Sequence, residues 1–565
     1  MRFRPALALV LTVVFLLTAL MGVWAAYDRQ IGWQRFGLIA GGLVIGLAIA
    51  WAGGKRGEPT LGAIGLGCAV LAAAIGSYYM LTYNWGSEST IKFSLLQQVG
   101  LWVQAHRPAL IAPRDYNPNL IAGGLTPLLP LGLAGLAWSW TRRHRPGVAI
   151  AAIALGLALA AFILSSARDA WLGLSAGALV AAYLEWRTDW ATRATLRLWG
   201  DVVFSGTSLV LLAGFGAVLM WPGLEGRLDT LPLGATLIAR VKLWRDARVL
   251  IGDYPFTGSG LGSTVMVYSS YVLLVHVGFI EYHVHNLPLQ IAVEQGLPGL
   301  LAFLGMLGTA IWGLVKTYQQ RNSTAILRWA ASAALIAWLV QGIGEAGNYN
   351  SSMVLIGFVP LGFALGFAQP PRVTDRKAAS PAFARPMRWL PILVGLSVIV
   401  GTLLIFPPGP RAAFRANLGT VAQTRAELSV FHWPEWPIQD AVRRSPRVNL
   451  LPAVAHYQAA LALEPRNATA NRRLGQIELS LGDYDAARRH LEAAYAAAPH
   501  QHTTRQLLGE SYAVTGDVER AADLWRTLDT SQNQLEMRHL WYANYVATPQ
   551  QANWIAKAIA RSAAR

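Results

Sequence analysis

The sequence predicts an all-α protein, in which a polytopic α-helical membrane domain of about eleven transmembrane helices is followed by an α-solenoid. Three observations lead to this fold class. Only 14% of the 565 residues are charged and 54% are hydrophobic, whereas a soluble domain carries roughly 25% charged residues. Runs of about 20 apolar residues, the length that crosses a bilayer core, recur along residues 1–406. Residues 451–565 contain an internal repeat, which is typical of stacked helical hairpins.

The apolar segments are long enough to be transmembrane helices. We place them at 6–25, 35–52, 61–82, 119–140, 147–166, 169–185, 201–221, 287–315, 325–344, 351–368 and 389–406. Lys and Arg concentrate in alternate short loops between these segments, as expected of loops on the cytoplasmic side. We therefore expect a multi-pass protein of the cytoplasmic (inner) membrane with a cytoplasmic N-terminus.

With eleven crossings, the C-terminal part lies on the periplasmic or extracellular side. The predicted domains are a membrane domain at 1–406, a connector at 407–450 and an extracytoplasmic repeat domain at 451–565. The membrane domain contains a large external loop at 222–286 and a cytoplasmic loop at 369–388. The apolar N-terminal segment is long for a cleaved signal peptide and more spans follow it, so we expect an uncleaved signal-anchor.

The net charge of +17 does not indicate nucleic-acid binding. Much of the excess lies in the predicted cytoplasmic loops, where the positive-inside rule accounts for it. The single cysteine, Cys68, lies within an apolar segment. The sequence therefore contains neither a disulfide framework nor a thiolate metal site.

The C-terminal repeat has a period of 34 residues. Leu474-Gly475 recurs as Leu508-Gly509, Gly482-Asp483 as Gly516-Asp517, and Pro465 as Pro499. This pattern resembles the tetratricopeptide repeat family, whose units bury their apolar faces only by stacking. Residues 452–529 hold two units, and we expect the flanking helices 411–430 and 530–565 to cap them. Such repeats bind many kinds of partner, so a protein acceptor, a co-polymerase and the glycan itself are all open as ligands of this domain.

The segment Tyr282-His283-Val284-His285-Asn286 stands directly before a long apolar segment. Polar residues at a membrane boundary are costly to desolvate, so they usually face water or serve a site. Histidine is the side chain best suited to proton exchange near neutral pH. The segment is therefore the leading candidate for a functional site.

Residues 237–250 of the external loop have the spacing of an amphipathic helix. Its Lys242, Arg245 and Arg248 suit headgroup anchoring at a membrane surface, whereas for Arg240 we favour a functional role. Arg168 lies at the hinge between two apolar segments, where a charge needs a partner. It either pairs with Asp169 or a headgroup, or offers its guanidinium to a phosphate or pyrophosphate.

Two other patterns in this loop do not support a cofactor. Gly258-Ser259-Gly260-Leu261-Gly262 lacks the strand and helix of a dinucleotide-binding unit, so we interpret it as a turn that allows close backbone approach. His276, His283 and His285 lack a carboxylate or cysteine at a familiar ligand spacing. We therefore expect neither a cofactor nor a metal.

Several of these motifs together resemble the O-antigen ligase and O-antigen polymerase superfamily of membrane glycosyltransferases. The matching elements are His285-Asn286 with Gly296 and Gly299, the Ser166-Ala167-Arg168 turn, the Arg240-x-x-x-Trp244 helix, and the turn at residues 253–260. The resemblance implies a glycan donor carried on undecaprenyl diphosphate and presented at the outer face of the membrane. It also implies that Arg168 and Arg240 bind the pyrophosphate and that His285 is the general base for an acceptor hydroxyl.

His283 is the alternative base, and an extended segment would point the two imidazoles to opposite sides. Asn286, Arg245, Tyr282 and Glu294 are weaker candidates for substrate or supporting contacts. For Glu294, pairing within the helix bundle is an equal alternative.

The leading hypothesis is a membrane glycosyltransferase that ligates or polymerises surface polysaccharide, whose substrates are a lipid-linked glycan and a glycan, lipid or protein acceptor. A protein O-glycosyltransferase is a variant of the same hypothesis. A transporter would place charges at mid-membrane, and a non-catalytic scaffold would need only one span. Both remain as alternatives.

Overall fold

The computed structural model describes residues 5–87, 93–190, 195, 198, 200–204, 206–207, 234–274, 283–320, 324–367, 408–431, 438–528, 533–546 and 548–564. Every regular element within these residues is a helix, and the only β-type contact among them is an isolated bridge between Tyr83 and Arg114. The predicted all-α class is confirmed.

Most of the described helices of the membrane domain follow the predicted segments. They are α1 (Pro5–Ala25), α2 (Arg29–Arg56), α3 (Glu58–Thr82), α4 (Ser94–His106), α5 (Pro118–Thr141), α6 (Arg145–Leu164), α7 (Arg168–Glu185), α8 (Gly234–Asp253), α9 (Thr264–Tyr268), α10 (Leu287–Gln320), α11 (Ala325–Gly344), α12 (Val354–Gly357) and α13 (Val359–Phe367). Helix α8 confirms the helix predicted in the external loop. Its apolar face, however, packs on the protein itself through Val241, Trp244 and Ala247, while Arg248 is exposed.

Among the described helices, α1, α2, α3, α5, α6, α10 and α11 are long and apolar enough to cross a membrane. The chain is thus a multi-pass membrane protein, but the predicted count of eleven spans is not confirmed. Helix α7 covers the predicted span 169–185 but carries Arg168, Asp169 and Glu185 within its 18 residues. The predicted span 351–368 consists of the two short helices α12 and α13. The predicted span 389–406 and most of 201–221 lie outside the described residues.

Small residues allow the membrane helices to approach closely, as is usual where lipid tails compete for the apolar surface. A Cβ on Gly135 of α5 would lie 2.2 Å from the backbone N of Leu66 in α3, and one on Gly177 of α7 would lie 2.4 Å from the carbonyl O of Ala333 in α11. These contacts hold α3 against α5 and α7 against α11. The second pair brings the start of α7 to the end of α11.

The glycine run at 258–262 forms a tight turn between α1 and α10. Gly258, Gly260 and Gly262 all have positive φ, and a Cβ on Gly258 would lie 2.2 Å from the carbonyl C of Glu294. The predicted close backbone approach is therefore confirmed. Helix α10 is interrupted at Gly296 (φ +72°), where the N–H of Leu297 donates to the carbonyl O of Pro255 at 2.8 Å.

The C-terminal helices form a stack. They are α14 (Pro408–Leu428), α15 (Gln439–Arg444), α16 (Leu451–Leu463), α17 (Ala468–Leu481), α18 (Tyr484–Ala497), α19 (His502–Val514), α20 (Val518–Trp525), α21 (Gln534–Leu540) and α22 (Pro549–Ala563). The predicted units are α17–α18 and α19–α20, and each hairpin turns at a glycine with positive φ, Gly482 or Gly516. Helix α14, which begins in the predicted connector, packs on α16 and belongs to the stack.

The repeat stack is docked on the membrane domain by a buried ion cluster, which we call the Asp253 clamp. Asp253, the last residue of α8, accepts hydrogen bonds from Arg472 at 2.5 Å, Arg473 at 2.8 Å and Thr469 at 2.9 Å. All three partners lie on α17. The carboxylate and both guanidinium groups are almost fully buried, so the docking is a packed interface.

A second contact joins the membrane domain to helix α19. The carbonyl O of Val272 accepts hydrogen bonds from Thr503 at 2.9 Å and from His502 at 3.1 Å. The guanidinium of Arg473 lies 3.9 Å from the centre of the Tyr271 ring. The first helices of both repeat units, α17 and α19, thus face the chain's own 253–273 segment.

Candidate active site

Asn286 fixes the geometry of the predicted functional segment. Its Oδ1 accepts a hydrogen bond from the backbone N–H of Leu289 at 3.0 Å, and its Nδ2 donates to the carbonyl O of Ile343 at 3.2 Å. The first bond caps the N-terminus of α10, and the second ties it to the end of α11. Asn286 therefore has a structural role. By joining the start of α10 to the end of α11, it places Glu345, which follows α11, next to the two histidines.

The centre of the site is a cluster of His283, His285 and Glu345, which we call the His–Glu cluster. Nε2 of His283 lies 3.0 Å from Oε1 of Glu345, and Nδ1 of His285 lies 3.4 Å from Oε2. The backbone N–H of Gly347 also donates to Oε1 at 2.7 Å. One buried carboxylate thus contacts both imidazoles.

The expectation that the two imidazoles point to opposite sides is wrong. His285 has φ +47°, a left-handed conformation that costs a residue with a side chain about 1–3 kcal/mol and is concentrated at functional sites. This turn breaks the extended alternation. The two rings lie 4.2 Å apart between their centres at an angle of 80°, on the same side of the segment.

The contacts distinguish the two histidines chemically. The backbone N–H of His285 donates to Nδ1 of His283 at 3.4 Å, so we assign the His283 proton to Nε2, which faces Glu345. For His285, Glu345 instead faces Nδ1, so Nε2 is the ring nitrogen on the side away from the carboxylate. The His285 side chain is 16% exposed and that of His283 is 9%, so His285 is the more accessible to a substrate.

Glu345 remains a carboxylate despite its burial. Burial alone would raise its pKa, but the hydrogen bond from His285, the charges of both histidines and the N–H of Gly347 outweigh it and lower the pKa of Glu345 to about 2. An ionised carboxylate on Nδ1 orients an imidazole and stabilises its protonated form. This arrangement suits His285 for proton abstraction.

Helix α8 supports the histidine segment and carries Arg240 to the same place. Nε1 of Trp244 donates to the carbonyl O of Val284 at 3.0 Å. Arg240 lies one turn earlier on the same helix and packs against Gly344. A Cβ added to Gly344 would lie 3.3 Å from Nη1 of Arg240 and 3.4 Å from the Cβ of Asp169. Arg240 therefore lies beside the residue that precedes Glu345.

Arg168 lies on the neighbouring turn. Its side chain is exposed, with the guanidinium carbon 5.5 Å from the centre of the Phe93 ring, and it directly precedes Asp169. Ser166 in the same turn has φ +50°, and His285 has φ +47°. The turn before Arg168 and the turn before α10 thus each contain a residue in the left-handed conformation. The sequence-predicted Arg168, Arg240 and His285 are thus carried by three segments that meet around Gly344 and Glu345.

The weaker candidates divide into separate groups. Glu294 is buried in an internal network, where its Oε1 accepts hydrogen bonds from Gln290, Thr264 and the N–H of Gly262 at 2.9, 3.0 and 3.2 Å. Glu294 therefore pairs within the helix bundle, which is the alternative to a substrate contact that the sequence left open. Arg245 is half-buried beside Trp244. Tyr282 and His276 lie outside the described residues.

Sequence reasoning missed Glu345. Glu345 is the one acidic residue of the otherwise uncharged loop that follows α11. The available signal was the same one that drew attention to His285, namely an ionisable residue at the boundary of an apolar segment. The large separation of the two positions in the sequence concealed their contact.

The His–Glu cluster also has the donor set of a metal site. One ligand atom from each of the three residues lies within 4.8 Å of the others, and two histidines with one glutamate form a common zinc ligand set. The carboxylate that the sequence argument found missing is therefore supplied by Glu345. The same atoms also lie within ion-pair distance of one another without a metal, so a metal requires a direct test.

Gly347→Ala is expected to destabilise the cluster. The added Cβ would lie 2.6 Å from Cδ2 of Leu120, 2.9 Å from Nε2 of His283 and 3.0 Å from Oε1 of Glu345. We expect a loss of about 1–3 kcal/mol, as for overpacking elsewhere, measured as a lower midpoint of thermal unfolding in detergent. Gly308→Ala is the control, because no atom lies within 4 Å of its added Cβ. Equal midpoints for the two variants would contradict the tight packing at Gly347.

Together, the fold and the cluster define a multi-pass membrane protein with a docked helical repeat domain and a His–Glu site. Residues 151–304 match the O-antigen ligase family model, and residues 453–502 and 478–540 match two tetratricopeptide repeat models. The chain therefore carries an O-antigen ligase domain followed by tetratricopeptide repeats, which supports a role in the ligation or polymerisation of surface polysaccharide. A search of curated proteins finds no match. The ligase match includes Arg168, Arg240, His283 and His285 but ends before Glu345.

Proposed function

We propose that the protein transfers a glycan from undecaprenyl diphosphate to an acceptor hydroxyl, with His285 as the general base. The observation that carries this proposal is the contact between Nδ1 of His285 and the buried carboxylate of Glu345, in an imidazole ring that is itself partly exposed. The family match supports the class of reaction, and the arginines beside the cluster support an anionic leaving group.

The reaction is a single displacement at the anomeric carbon of the donor. Nε2 of His285 takes the proton of the acceptor hydroxyl, while that oxygen forms a bond to the anomeric carbon. The bond from this carbon to the diphosphate oxygen breaks, and undecaprenyl diphosphate leaves with the electron pair. Arg168 and Arg240 stabilise the negative charge that develops on the diphosphate. The displacement inverts the anomeric centre and calls for no cofactor.

The site belongs to the outer face of the cytoplasmic membrane in this proposal. The supporting observation is the concentration of Lys and Arg in the loops at the opposite end of the membrane helices, such as Lys55-Arg56 at the end of α2 and Arg142-Arg143 after α5. The contacts of α8 with both the repeat domain and the histidine segment support a position of the two on the same side. A donor in the outer leaflet could therefore reach the cluster from the membrane.

The acceptor distinguishes the members of this class. A polymerase uses the growing lipid-linked glycan, a ligase uses a lipid or core oligosaccharide, and a protein O-glycosyltransferase uses a protein. The repeats are suited to protein interaction, which keeps the protein acceptor as the alternative. The proposal itself covers transfer from the lipid diphosphate to a hydroxyl.

The experiment that tests the proposal uses purified protein in lipid nanodiscs with the undecaprenyl-diphosphate glycans of its host. Release of undecaprenyl diphosphate is measured with and without each acceptor class and with and without EDTA. Release that requires an acceptor and survives EDTA is expected. Release that EDTA abolishes and zinc restores would replace the proposed base with a metal centre. Absence of release with every acceptor would reject the transferase.

Arg240→Gln is expected to lower kcat/KM for the donor by about 10²-fold, since a charge-assisted contact to a developing oxyanion contributes about 3 kcal/mol. Arg248→Gln is the matched control, because Arg248 lies on the same helix but is exposed. Both variants are compared in the nanodisc assay at a range of donor concentrations. Equal activity of the two variants would remove Arg240 from the donor site.

A further inference from the structure

A large cavity away from the His–Glu cluster separates the membrane bundle from the first helix of the repeat stack. Its volume is about 610 Å³. One wall is the turn Tyr27–Arg29 between α1 and α2, and the opposite wall is the C-terminal half of α14, with Pro452 of α16 beside it. The cavity is therefore formed by two parts of the chain that are distant in sequence.

Two arginines line this cavity from opposite walls. Arg29 begins α2, and Arg425 lies in the last turn of α14. Among the described residues, neither forms an ion pair with a carboxylate. Asp28 is adjacent, but its Oδ1 accepts the N–H groups of Gln30 and Ile31 at 2.9 and 3.1 Å as the helix cap. The cavity is thus lined by two arginines and one aspartate that is engaged as a helix cap, which leaves a net positive charge.

The arginines are close enough to influence each other. Burial, together with the positive charge of Arg29, lowers the pKa of Arg425 from its ordinary value. Two like charges facing one cavity repel, so an anion placed between them is stabilised by both. Guanidinium groups are also the side chains best suited to binding phosphate oxygens.

The surroundings of the arginines are apolar. The guanidinium of Arg425 lies 5.9 Å from the centre of the Trp24 ring, and Trp24 is 45% exposed at the end of the membrane helix α1. Exposed tryptophans at helix ends lie at the level of lipid headgroups. Ala422, Ala426 and Leu428 line the cavity beside Arg425. A ligand here meets positive charge together with apolar surface.

We propose that this cavity binds the phosphate of an anionic membrane phospholipid between Arg29 and Arg425. Its glycerol and acyl part would lie along Trp24 and the apolar wall of α14. An amphiphile suits this mixed lining better than free phosphate, which has no apolar part to bury. The proposal does not depend on the transfer reaction.

The bound lipid has a structural consequence. Arg29 belongs to the membrane bundle and Arg425 to the repeat stack, so one phosphate bound by both connects the two parts. The site is distinct from the proposed donor site, because the residues that line the cavity include neither a member of the His–Glu cluster nor Arg168 or Arg240. Binding is therefore expected to raise the stability of the docked repeat domain.

The test titrates delipidated protein in detergent with phosphatidylglycerol, phosphatidylcholine or inorganic phosphate. Retained lipid is counted by native mass spectrometry, and thermal unfolding is followed by tryptophan fluorescence. We expect the wild type to retain phosphatidylglycerol in preference to phosphatidylcholine and to unfold at a higher temperature with it. In the double variant R29Q/R425Q, the affinity for phosphatidylglycerol is expected to fall by about tenfold or more, as expected from the loss of two basic contacts near a lipid phosphate.

Two controls keep the outcome interpretable. Arg411→Gln removes an exposed arginine of α14 that does not line the cavity and is expected to retain the lipid like the wild type. R29K/R425K keeps the charges and is expected to recover part of the affinity, which separates loss of charge from misfolding. Equal retention of the two lipids, equal loss in the Arg411 variant, or full protection by inorganic phosphate alone would overturn the proposal.

Discussion

His285→Ala is expected to lower kcat for glycan transfer by about 10³-fold or more, because it removes the group that takes the acceptor proton. Donor binding should change little, since the diphosphate is bound by arginines. His283→Gln is the matched control, because its ring contacts the same carboxylate but is less exposed. Initial rates of undecaprenyl diphosphate release in nanodiscs provide the measurement. A larger loss in the His283 variant would assign the base to His283.

Glu345→Gln is also expected to lower kcat for glycan transfer, because Glu345 contacts His285. An amide in place of the carboxylate can no longer stabilise the protonated ring or select its tautomer, so we expect a loss of about 10²–10⁴-fold in kcat, by analogy with other carboxylate–histidine pairs. Glu345 acts through His285 and is therefore a positioning residue. A merely structural role would leave the pH profile of the remaining activity unchanged.

The pH profile provides that second readout. The pKa of Glu345 is lowered to about 2, so its stabilising contribution is present above its ordinary value of about 4.3 and is lost as the pH falls towards 2. An acid limb of wild-type activity near neutral pH would therefore report protonation of a base other than Glu345, which in the proposal is His285. In Glu345→Gln this limb is expected to move to lower pH, because the protonated ring loses its counter-charge. An unmoved limb would contradict the assigned contact.

The second large effect is expected for Asp253→Ala, which removes the centre of the clamp. Arg472 and Arg473 would remain buried without their carboxylate, and loss of one partner of a buried ion pair costs about 3–5 kcal/mol. We expect the midpoint of thermal unfolding to fall and limited proteolysis to release the repeat domain. The control is Glu519→Ala, whose exposed pair with Arg561 is expected to contribute about 0.5 kcal/mol or less.

The pH dependence of the clamp has a defined sign. Burial would raise the pKa of Asp253, but Arg472 and Arg473 outweigh it and lower the pKa from its ordinary value. The clamp therefore contributes its full stability above pH of about 4, and this contribution is lost as the pH falls below it. Unfolding midpoints measured from neutral to acidic pH should show a steeper decline for the wild type than for Asp253→Ala.

Most of the helices were predictable because their signals are local. Apolar runs of membrane length indicated the spans, and the 34-residue period indicated the repeats before any contact was known. The same reasoning identified His285, since a histidine at the start of an apolar segment is unusual within its own neighbourhood. The approach of the backbone at Gly258 was also foreseen, because only glycine accepts that geometry.

The features that were missed depend on distant pairs. Glu345 reaches His285 only because Asn286 joins the start of α10 to the end of α11, and no local pattern contains that bond. The orientation of the two imidazoles depends on a left-handed residue, which sequence spacing alone cannot reveal for a histidine. The docking of α17 on Asp253 likewise joins residues 219 and 220 positions apart.

This separation has a consequence for how the protein is made. Asp253 leaves the ribosome long before Arg472 and Arg473, so the carboxylate at the end of α8 lacks these two cations until the first repeat has been synthesised. Helix α8 is held within the membrane domain by α10 and by the bond from Trp244 to Val284, and its C-terminal end gains the clamp only at that late stage. A chain truncated before the repeats would therefore leave the carboxylate at the end of α8 uncompensated, which links the final stability of the helix that carries Arg240 to the completion of synthesis.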